Sequence, residues 1–304
     1  MTVRIANAPV TYGAFERTVG LPGVPDADAV LEAVAGAGYE GIDLGPVGFL
    51  GRGDALRNAL AGRGLALAGG YVELPFNDPA RLREAWHELD AVLNAFDSVG
   101  PIQGPNPPRP TLAHAPTPER AAHPGQARSD PSLAMGPAAW SALLDGIAEA
   151  MDRCRSRGYE PTFHPELGTD VEAPAEIEAL LAQTSIGLCL DTGHLLASGG
   201  DPVAAVSAWT GRINQVHVKD ARLDRIAEIV RLDEDADAVW SRGVFCGLGE
   251  GDVDLPGVLE ALGRAGYEGW IVVEQDSLPG DADTFAAVDR AQQENRRILA
   301  RNGY

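Results

Sequence analysis

A short motif that occurs near both ends of the chain constrains its fold more than any other feature. The sequence AGYEGI at residues 37–42 returns as AGYEGWI at residues 265–271, and GYE at residues 158–160 is a partial third copy. Each copy follows a stretch with helical spacing and precedes a short apolar run. Glycine is typical of the left-handed position just past a helix C-terminus, so we interpret each copy as the joint between a helix and the strand after it.

Eight short strand candidates can be counted along the chain, and most of them are separated by segments with helical spacing. Alternating strands and helices predict an α/β protein with a parallel sheet. Eight such units in 304 residues predict closure into a (β/α)8 TIM barrel, which takes about 250 residues before insertions. An open doubly wound sheet is the alternative, but no G-x-G-x-x-G motif follows the first strand to favour it. The predicted strands are 3–8, 41–44, 65–70, 110–113, 161–164, 187–190, 213–217 and 270–274.

The clearest predicted helix covers residues 79–95, where Asp78 can cap the N-terminus and Pro79 occupies the first helical position. Two segments interrupt the alternation, one near 97–137 that is rich in Pro and Gly and one near 220–251, and we predict long loops there. In this fold such loops form substrate lids more often than domains. The chain is therefore predicted to form a single domain over residues 1–304. Further helices are predicted at 30–37, 140–155, 174–182, 255–265 and 281–300.

Charge and composition exclude several classes of partner. The formal net charge is −20, and so acidic a surface repels nucleic-acid phosphates and anionic lipids. No run of 18 or more apolar residues predicts a membrane span, and the first residues lack the pattern of a signal peptide, so we expect a cytoplasmic protein. The three cysteines are widely spaced and form no C-x-x-C pair, which argues against disulfides or a zinc–thiolate site.

Polar residues follow the last four predicted strands at the point where each strand ends. The carboxyl ends of barrel strands converge on one mouth, so these side chains are expected to meet there. Carboxylate and imidazole ligands without a thiolate suit Mn²⁺, Co²⁺, Mg²⁺, Fe²⁺ or Zn²⁺. Ligands from adjacent strands can surround one ion and leave positions open for a substrate. The residues are His164 and Glu166, then Asp191 and His194, then His217 and Lys219, and finally Glu274.

Each of these residues also has a purely structural interpretation. Asp191 could cap the segment after its strand, His217 could be a satisfied core histidine, and Lys219 could be a surface cation. Glu274 is the strongest candidate, because a carboxylate that ends a buried strand is costly unless it is paired or bound to a metal. His164 and Glu166 are two residues apart and point to the same side of a strand. One of the two could bind the metal while the other contacts the substrate.

The same strand ends resemble those of the sugar phosphate isomerase/epimerase superfamily, the xylose isomerase-like TIM barrels that also include endonuclease IV. The motifs that carry the resemblance are LDTGH at 190–194, VHVKD at 216–220, and GYEG at 266–269 leading to VVE at 272–274. Within this group the chain looks most like the inosose dehydratases (2-keto-myo-inositol dehydratases). That closer likeness rests on APVTYG at 8–13, YEGIDLGP at 39–46, GGYV at 69–72 and HPELGT at 164–169.

The resemblance implies one divalent metal ion, Mn²⁺ or Co²⁺ ahead of Mg²⁺, Zn²⁺ or Fe²⁺. Its ligands would be His164 or Glu166, together with Asp191, His217 and Glu274. In the epimerases of this group the ligands on strands five and eight are glutamates that also move the substrate proton. Many inosose dehydratases instead carry two histidines where this chain has His-Pro-Glu, so the strand-five ligand stays open. The endonuclease needs more His and Asp ligands than these strands supply, and the acidic charge opposes DNA.

The implied chemistry begins with removal of a proton next to a carbonyl group. Glu274 or the strand-five residue, with Glu166 a candidate, would take the proton, while Lys219 and His194 would hold the resulting enediolate. Loss of a β-hydroxyl makes the enzyme a dehydratase-like lyase on a keto-cyclitol or keto-sugar, which we favour. The alternatives are a ketose 3-epimerase or hydroxypyruvate isomerase type of reaction, a lyase or hydrolase on 3-keto-glycosides, and a non-catalytic sugar-binding barrel subunit. The expected partner is a small polyhydroxy-carbonyl substrate, and homo-oligomerisation is left open.

Overall fold

Nine parallel strands form one sheet in the computed structural model, which describes residues 3–100 and 106–304. The order of the strands is β3-β2-β1-β11-β8-β7-β6-β5-β4. Part of the predicted loop near 97–137, residues 101–105, lies outside the described residues. The strands are β1 (Arg4–Asn7), β2 (Gly41–Ile42), β3 (Ala66–Leu67), β4 (Gly69–Leu74), β5 (Arg109–His114), β6 (Thr162–Phe163), β7 (Gly187–Asp191), β8 (Ile213–Val218), β9 (Asp220–Ala221), β10 (Phe245–Cys246) and β11 (Trp270–Val273).

The sheet closes on itself because β3 and β4 are two halves of one strand. They are separated only by Ala68, whose N–H donates to Ile42 O of β2 at 3.0 Å. The carbonyl of Ala68 accepts from the N–H of Arg109 in β5 at 3.2 Å. The two ends of the sheet are thus joined through one residue, and the nine strands occupy eight positions around a barrel. The predicted (β/α)8 TIM barrel is confirmed.

Helices follow most of the barrel strands and cover their outer face. In α3, the Asp78 side chain accepts from the N–H groups of Ala80 and Arg81, and Pro79 occupies the first turn, as predicted. None of the described helices combines the length and apolarity needed to cross a membrane. The helices are α1 (Ala27–Gly36), α2 (Asp54–Ala61), α3 (Pro79–Val99), α4 (Pro118–Ala122), α5 (Pro137–Ser156), α6 (Pro174–Gln183), α7 (Thr192–Ala197), α8 (Pro202–Trp209), α9 (Leu223–Leu232), α10 (Asp237–Ser241), α11 (Leu255–Arg264) and α12 (Ala282–Arg301).

The repeated glycines lie between the end of a helix and the start of the next strand. Gly38, Gly158 and Gly266 have φ of 85°, 85° and 65°, the left-handed region that a side chain with a Cβ rarely adopts. Gly38 follows α1 and leads to β2, and Gly266 follows α11 and leads to β11. The interpretation of the motif as a helix-to-strand joint is confirmed.

Alternation along each strand separates the inside of the barrel from its outer, helix-facing surface. Ile271 and Val273 of β11 belong to the main core under the helices, whereas Trp270 and Val272 pack with alanines of β1 and β3 in a separate cluster. The Trp270 ring fills the floor of the barrel, where its Nε1–H donates to Asn106 O at 3.1 Å. A Cβ on Gly41 would lie 2.7 Å from this ring, so the position requires glycine.

The segment 220–251 is not the irregular loop that we predict from the sequence. It contains β9 and β10, which pair antiparallel, and helices α9 and α10. Ile226 and Ile229 of α9 are buried in a satellite core with Phe245. Their spacing of three residues is helical. Counting strand candidates does not reveal this helix, because it packs in its own small core apart from the main barrel. We call residues 220–251 the rim insert.

Candidate metal centre

The strands β6, β7, β8 and β11 occupy the fifth to eighth barrel positions and bring the predicted ligands together. Gln215 and His217 of β8, and Lys219 directly after it, alternate with Val216 and Val218 of the outer core, so all three polar side chains face inward. Asp191 pairs in register with His217. His164 and Glu274 directly follow the last residues of β6 and β11. The predicted residues therefore share one mouth.

Asp191 combines the two roles that the sequence left as alternatives. Its Oδ1 accepts from the N–H of His194 at 2.9 Å and caps α7. Its Oδ2 is buried and has no hydrogen-bond partner in the described part of the chain. This oxygen lies 3.3 Å from Lys219 Nζ, 3.5 Å from His164 Nε2 and 4.0 Å from His217 Nδ1. One oxygen thus orients the carboxylate while the other is available to a ligand.

His217 is held from both sides. Its Nδ1 lies 3.2 Å from Glu274 Oε2, and its Nε2 lies 3.2 Å from the Gln215 amide nitrogen. The Gln215 amide oxygen has no hydrogen-bond partner among the described residues. The oxygen and nitrogen ends of an amide have nearly the same shape, so the group fits equally well when reversed. With the amide reversed, its oxygen accepts the Nε2–H and leaves the Nδ1 lone pair free, as a metal-binding histidine needs.

Lys219 lies at the centre of the site and not on the surface. Only 2% of the residue is exposed. Its Nζ is 3.3 Å from Asp191 Oδ2, 3.1 Å from Glu274 Oε2 and 2.9 Å from Asp276 Oδ1. Burial disfavours the ammonium, but these carboxylates outweigh burial and hold the pKa of Lys219 well above its ordinary value. The alternative of a surface cation is wrong.

The Thr192-Gly193-His194 stretch is built around Lys219. Thr192 Oγ1 donates to Lys219 O at 2.6 Å and accepts from its N–H at 2.9 Å. A Cβ on Gly193 would lie 2.8 Å from Lys219 Cγ, so glycine makes room for the lysine side chain. His194 Nε2 lies 3.1 Å from Lys219 Nζ. Thr192 therefore holds the backbone of Lys219, Gly193 leaves space for its side chain, and His194 lies next to its ammonium.

His194 is neutral and presents an N–H toward the site. Its Nδ1 accepts from the N–H of Leu167 at 3.1 Å, so the ring proton is on Nε2. Burial, followed by the Lys219 charge, holds the pKa of His194 well below its ordinary value. The ring packs on Phe245 of the rim insert, with centroids 4.7 Å apart. His194 can thus donate a hydrogen bond but has no free lone pair for a metal.

Glu166 lies at the edge of the site. Its Oε2 is 3.8 Å from His164 Nδ1 and accepts from Tyr71 O–H at 2.7 Å. The Glu166 side chain is 26% exposed, against 4% for His164. His164 Nδ1 has no hydrogen-bond partner among the described residues. The structure therefore brings both strand-five candidates to the mouth, with His164 in the interior and Glu166 toward solvent.

The buried charges favour a divalent cation. Three buried atoms of neighbouring side chains lack hydrogen bonds within the described chain: His164 Nδ1, Asp191 Oδ2 and His217 Nδ1. His217 Nδ1 lies 4.0 Å from Asp191 Oδ2, and the His164 ring approaches that oxygen through Nε2 at 3.5 Å. Buried carboxyl groups also outnumber the single ammonium of Lys219, and buried charges are costly unless balanced. Carboxylate and imidazole donors fit Mn²⁺, Co²⁺ or Zn²⁺. Groups whose ligand atoms all lie within 4.8 Å are His164, Asp191 and His194; Asp43, His217 and Glu274; and His164, Cys189 and His217.

Cys189 is close to the site, with its sulfur within 4.8 Å of ligand atoms of His164 and His217. Burial raises the pKa of the Cys189 thiol to about 11, so the thiol is protonated at neutral pH while no metal is bound, and thiolate is the form that binds metals. All three cysteines are free and buried. The carboxylate and imidazole groups are therefore the donors of the site that can bind a metal without loss of a thiol proton.

Four residues of the site were not singled out from the sequence. Asp43 comes directly after β2, just as Asp191 is the last residue of β7. Burial raises the pKa of Asp43 to about 7. Asp276 contacts Lys219 and lies two residues after Glu274. The strand-end pattern could have found both. Tyr71 and Phe245 had no such signal, because their contacts join distant parts of the chain.

The sequence profile of the xylose isomerase-like TIM barrels matches residues 31–298. This chain belongs to that family. Two relatives cover nearly its whole length. Inosose dehydratase of Geobacillus kaustophilus (strain HTA426) is 28% identical over 97% of this chain and 94% of that enzyme. Rhizopine catabolism protein MocC of Rhizobium meliloti is 29% identical over 100% of this chain and 91% of that protein. The resemblance found in the sequence is confirmed.

Two solved structures share the fold at low identity. The IolI protein, whose crystal structure contains a zinc atom, superimposes with a TM-score of 0.70 at 14% identity, over 98% of this chain and 97% of that one. An L-ribulose 3-epimerase superimposes with a TM-score of 0.68 at 17% identity, over 99% and 94%. These likenesses concern the barrel and not the reaction.

Proposed function

We propose that this chain is a divalent-metal-dependent lyase that dehydrates a keto-cyclitol or keto-sugar, in the manner of inosose dehydratase. Two full-length relatives, an inosose dehydratase and a rhizopine catabolism protein, support a sugar- or cyclitol-modifying enzyme. The observation that carries the proposal is the set of buried, unpartnered ligand atoms of His164, Asp191 and His217 beside a buried ammonium. A sugar-binding barrel without chemistry has no need to bury such a set.

The metal would be held by His164, Asp191, His217 and Glu274, with Asp43 beside them. A divalent ion supplies Lewis acidity, which polarises a carbonyl and makes the neighbouring C–H bond easier to break. Mn²⁺ and Co²⁺ are the proposed native ions. Zn²⁺, present in the IolI structure, is the nearest alternative.

The chain's own residues move the proton and hold the charge. A carboxylate of Glu274 or Glu166 takes the C–H proton, and the electron pair stays on the substrate as an enediolate. Lys219 Nζ and His194 Nε2–H are both donors, 3.1 Å apart, and are suited to hold the enediolate oxygen. The electron pair then expels the β-hydroxyl, which takes up a proton and leaves as water, so a C=C bond replaces the C–H and C–O bonds.

Metal analysis followed by proton exchange tests this proposal. Purified protein is assayed for bound metals, loaded with Mn²⁺ or Co²⁺, and incubated in D₂O with 2-keto-myo-inositol and common ketoses while NMR follows the substrate. We expect about one ion per chain, loss of the substrate C–H signal and formation of a dehydrated product, all abolished by chelation. Deuterium in a recovered epimer would favour the epimerase alternative. Bound metal with no exchange on any keto-sugar would favour the sugar-binding alternative.

A further inference from the structure

Tyr71 reaches across the barrel mouth to the one carboxylate of the site that is open to solvent. It belongs to β4, on the far side of β5 from β6. Its O–H donates to Glu166 Oε2 at 2.7 Å, and its ring stands edge-on to the His164 ring with centroids 6.0 Å apart. Tyr71 therefore touches both candidate residues of strand five and separates their roles.

Glu166 differs from the other carboxylates in how its backbone and side chain are held. Its N–H donates to Val171 O at 3.2 Å, and its carbonyl accepts from Thr169 Oγ1 at 2.8 Å. The backbone is thus fixed in the loop after β6. The side chain has only Tyr71 within hydrogen-bond distance among the described residues, while Glu274 is bound by both His217 and Lys219.

We infer that Tyr71 is a positioning residue that holds Glu166 as a proton-transfer group facing the substrate and keeps it out of the metal's ligand set, so that His164 is the strand-five ligand. The inference rests on the proposed function. It departs from the epimerase pattern, in which the strand-five glutamate does both tasks.

The geometry gives each oxygen of Glu166 a task. Oε2 is occupied by the Tyr71 O–H, so Oε1 is the atom left to accept a proton. When Oε1 takes the substrate C–H proton, the electron pair remains on the substrate, and the same proton can pass to the departing hydroxyl to form water. A carboxylate bound to a metal through both oxygens could not carry a proton in this way. The hydrogen bond from Tyr71 therefore orients the carboxylate.

Metal binding distinguishes a proton carrier from a ligand, without reference to turnover. Mn²⁺ binding is measured by calorimetry for the unmodified protein, Glu166→Gln and His164→Gln. We expect Glu166→Gln to bind with an affinity within about twofold of the unmodified protein, and His164→Gln to bind at least about tenfold more weakly. Equal weakening in the two variants, or weakening in Glu166→Gln alone, would overturn the inference.

Turnover then tests Tyr71. We expect Tyr71→Phe to lower kcat about tenfold with KM within about twofold, because the lost hydrogen bond acts on the proton transfer and not on substrate binding. In Glu166→Gln, a further Tyr71→Phe change should cost little, since the two act through one step. Tyr159→Phe is the matched control, because Tyr159 donates to Asp97 at 2.8 Å on the surface. A rise in KM alone, or full additivity of the two changes, would contradict a positioning role.

Failure of the inference and failure of the proposed function give different results. If the unmodified protein binds Mn²⁺ but exchanges no substrate proton, the proposed function fails, and the calorimetric comparison still decides whether His164 or Glu166 binds the ion. If the unmodified protein turns over and Glu166→Gln does so equally well, the proposed function stands and the inference falls.

Discussion

Two buried ionic clusters lie near the barrel mouth, and they differ in whether their polar atoms are satisfied. The first, which we call the arginine cluster, consists of Arg120, Glu172 and Glu176. The second, the lysine cluster, consists of Lys219, Asp191, Glu274 and Asp276 together with His164 and His217, which contact Asp191 and Glu274. Arg120 is 1% exposed and Lys219 is 2% exposed, so burial does not distinguish them.

The arginine cluster is almost fully paired. Arg120 donates to both oxygens of Glu176, at 2.6 and 3.1 Å, and lies 3.4 Å from Glu172. The Glu172 oxygens also accept from three backbone N–H groups, those of Gly125, Ala127 and Gly168. Among the buried side-chain atoms of this cluster, Arg120 Nε is the one without a hydrogen-bond partner in the described chain. This cluster stabilises the loops and has no unpaired carboxylate oxygen to offer a ligand.

The lysine cluster leaves atoms free where the arginine cluster leaves almost none. Asp191 Oδ2 is 3.3 Å from Lys219 Nζ but lacks a hydrogen bond, as do His217 Nδ1 and the His164 Nδ1 atom on the side of the ring toward Glu166. Buried polar groups without partners cost free energy in any fold. The difference teaches that burial of charge does not distinguish the two clusters, whereas the number of buried polar atoms without hydrogen bonds does, and the proposed metal site rests on that second property.

The largest effect is expected from Glu274→Gln in the lysine cluster. Because the change removes a proton acceptor and a ligand oxygen at once, turnover should fall by about 10² to 10⁴-fold. NMR exchange in D₂O measures the loss, and circular dichroism checks that the fold persists. Activity close to that of the unmodified protein would show that Glu274 takes no part in the reaction. The proposed functional difference between the two clusters would then be lost.

Next in size is Arg120→Met in the arginine cluster. It leaves the buried carboxylate of Glu172 and the partly exposed carboxylate of Glu176 without a cation, so the free energy of unfolding should drop by about 3–5 kcal/mol. The Mn²⁺ affinity of the variant, measured at low temperature so that it stays folded, should be unchanged, because the lysine cluster is separate from the arginine cluster. Denaturant titration gives the first quantity and calorimetry the second. The control Arg155→Met removes an exposed pair with Glu160 and should cost less than about 1 kcal/mol.

A smaller effect is expected when metal is added to the folded protein. Mn²⁺ at about 100 times its dissociation constant should raise the free energy of unfolding by about 2.7 kcal/mol. Thermal unfolding with and without a chelator measures the gain. Asp191→Asn should abolish the gain because it replaces the free oxygen at the centre of the lysine cluster. A gain of the same size in that variant would place the metal elsewhere.

The smallest effect concerns Asp97, an exposed carboxylate paired with Arg157 and Tyr159. Slight burial opposes its charge, but these hydrogen bonds outweigh burial and lower the pKa of Asp97. The pKa of Asp97 is lower in the folded state than in the unfolded state. The ionised carboxylate therefore stabilises the fold at pH values above the unfolded-state pKa, and this stabilisation is lost as the pH falls through the folded-state pKa. Asp97→Asn should cost less than about 1 kcal/mol at pH 7 and nothing at pH 2. A loss that persists at pH 2 would contradict a charge effect.

Much of the fold could be predicted because the chain repeats one local rule. Gly38, Gly158 and Gly266 each end a helix with positive φ, and the apolar runs after them form strands in register. The rim insert could not be predicted in the same way. Its core of Ile226, Ile229 and Phe245 forms apart from the main core, and the pairing of β9 with β10 joins residues far apart in sequence.

The candidate site could be predicted as far as each residue's place on its strand. Asp191, His217 and Glu274 lie at strand ends, and convergence at the mouth follows from the barrel. The choice between His164 and Glu166 could not be made, because β6 ends at Phe163 and the alternation of a strand does not extend to Glu166. The choice that we infer rests on the hydrogen bond from Tyr71 to Glu166, which spans 95 residues of sequence and which no local pattern encodes.

The Trp270 ring makes the barrel a blind-ended well. Arg4 stacks on the ring at 4.3 Å and Asn106 accepts its N–H, so the end of the well opposite the metal centre is sealed by paired groups. Any reactant and any product must therefore pass through the same opening, the one at the carboxyl ends of the strands. Phe15, in the segment after β1, stacks on Trp240 of the rim insert at 4.5 Å, so the rim insert is packed against the loop that follows the first strand. A barrel closed at one end confines arrival and departure to the side that carries the ionic groups.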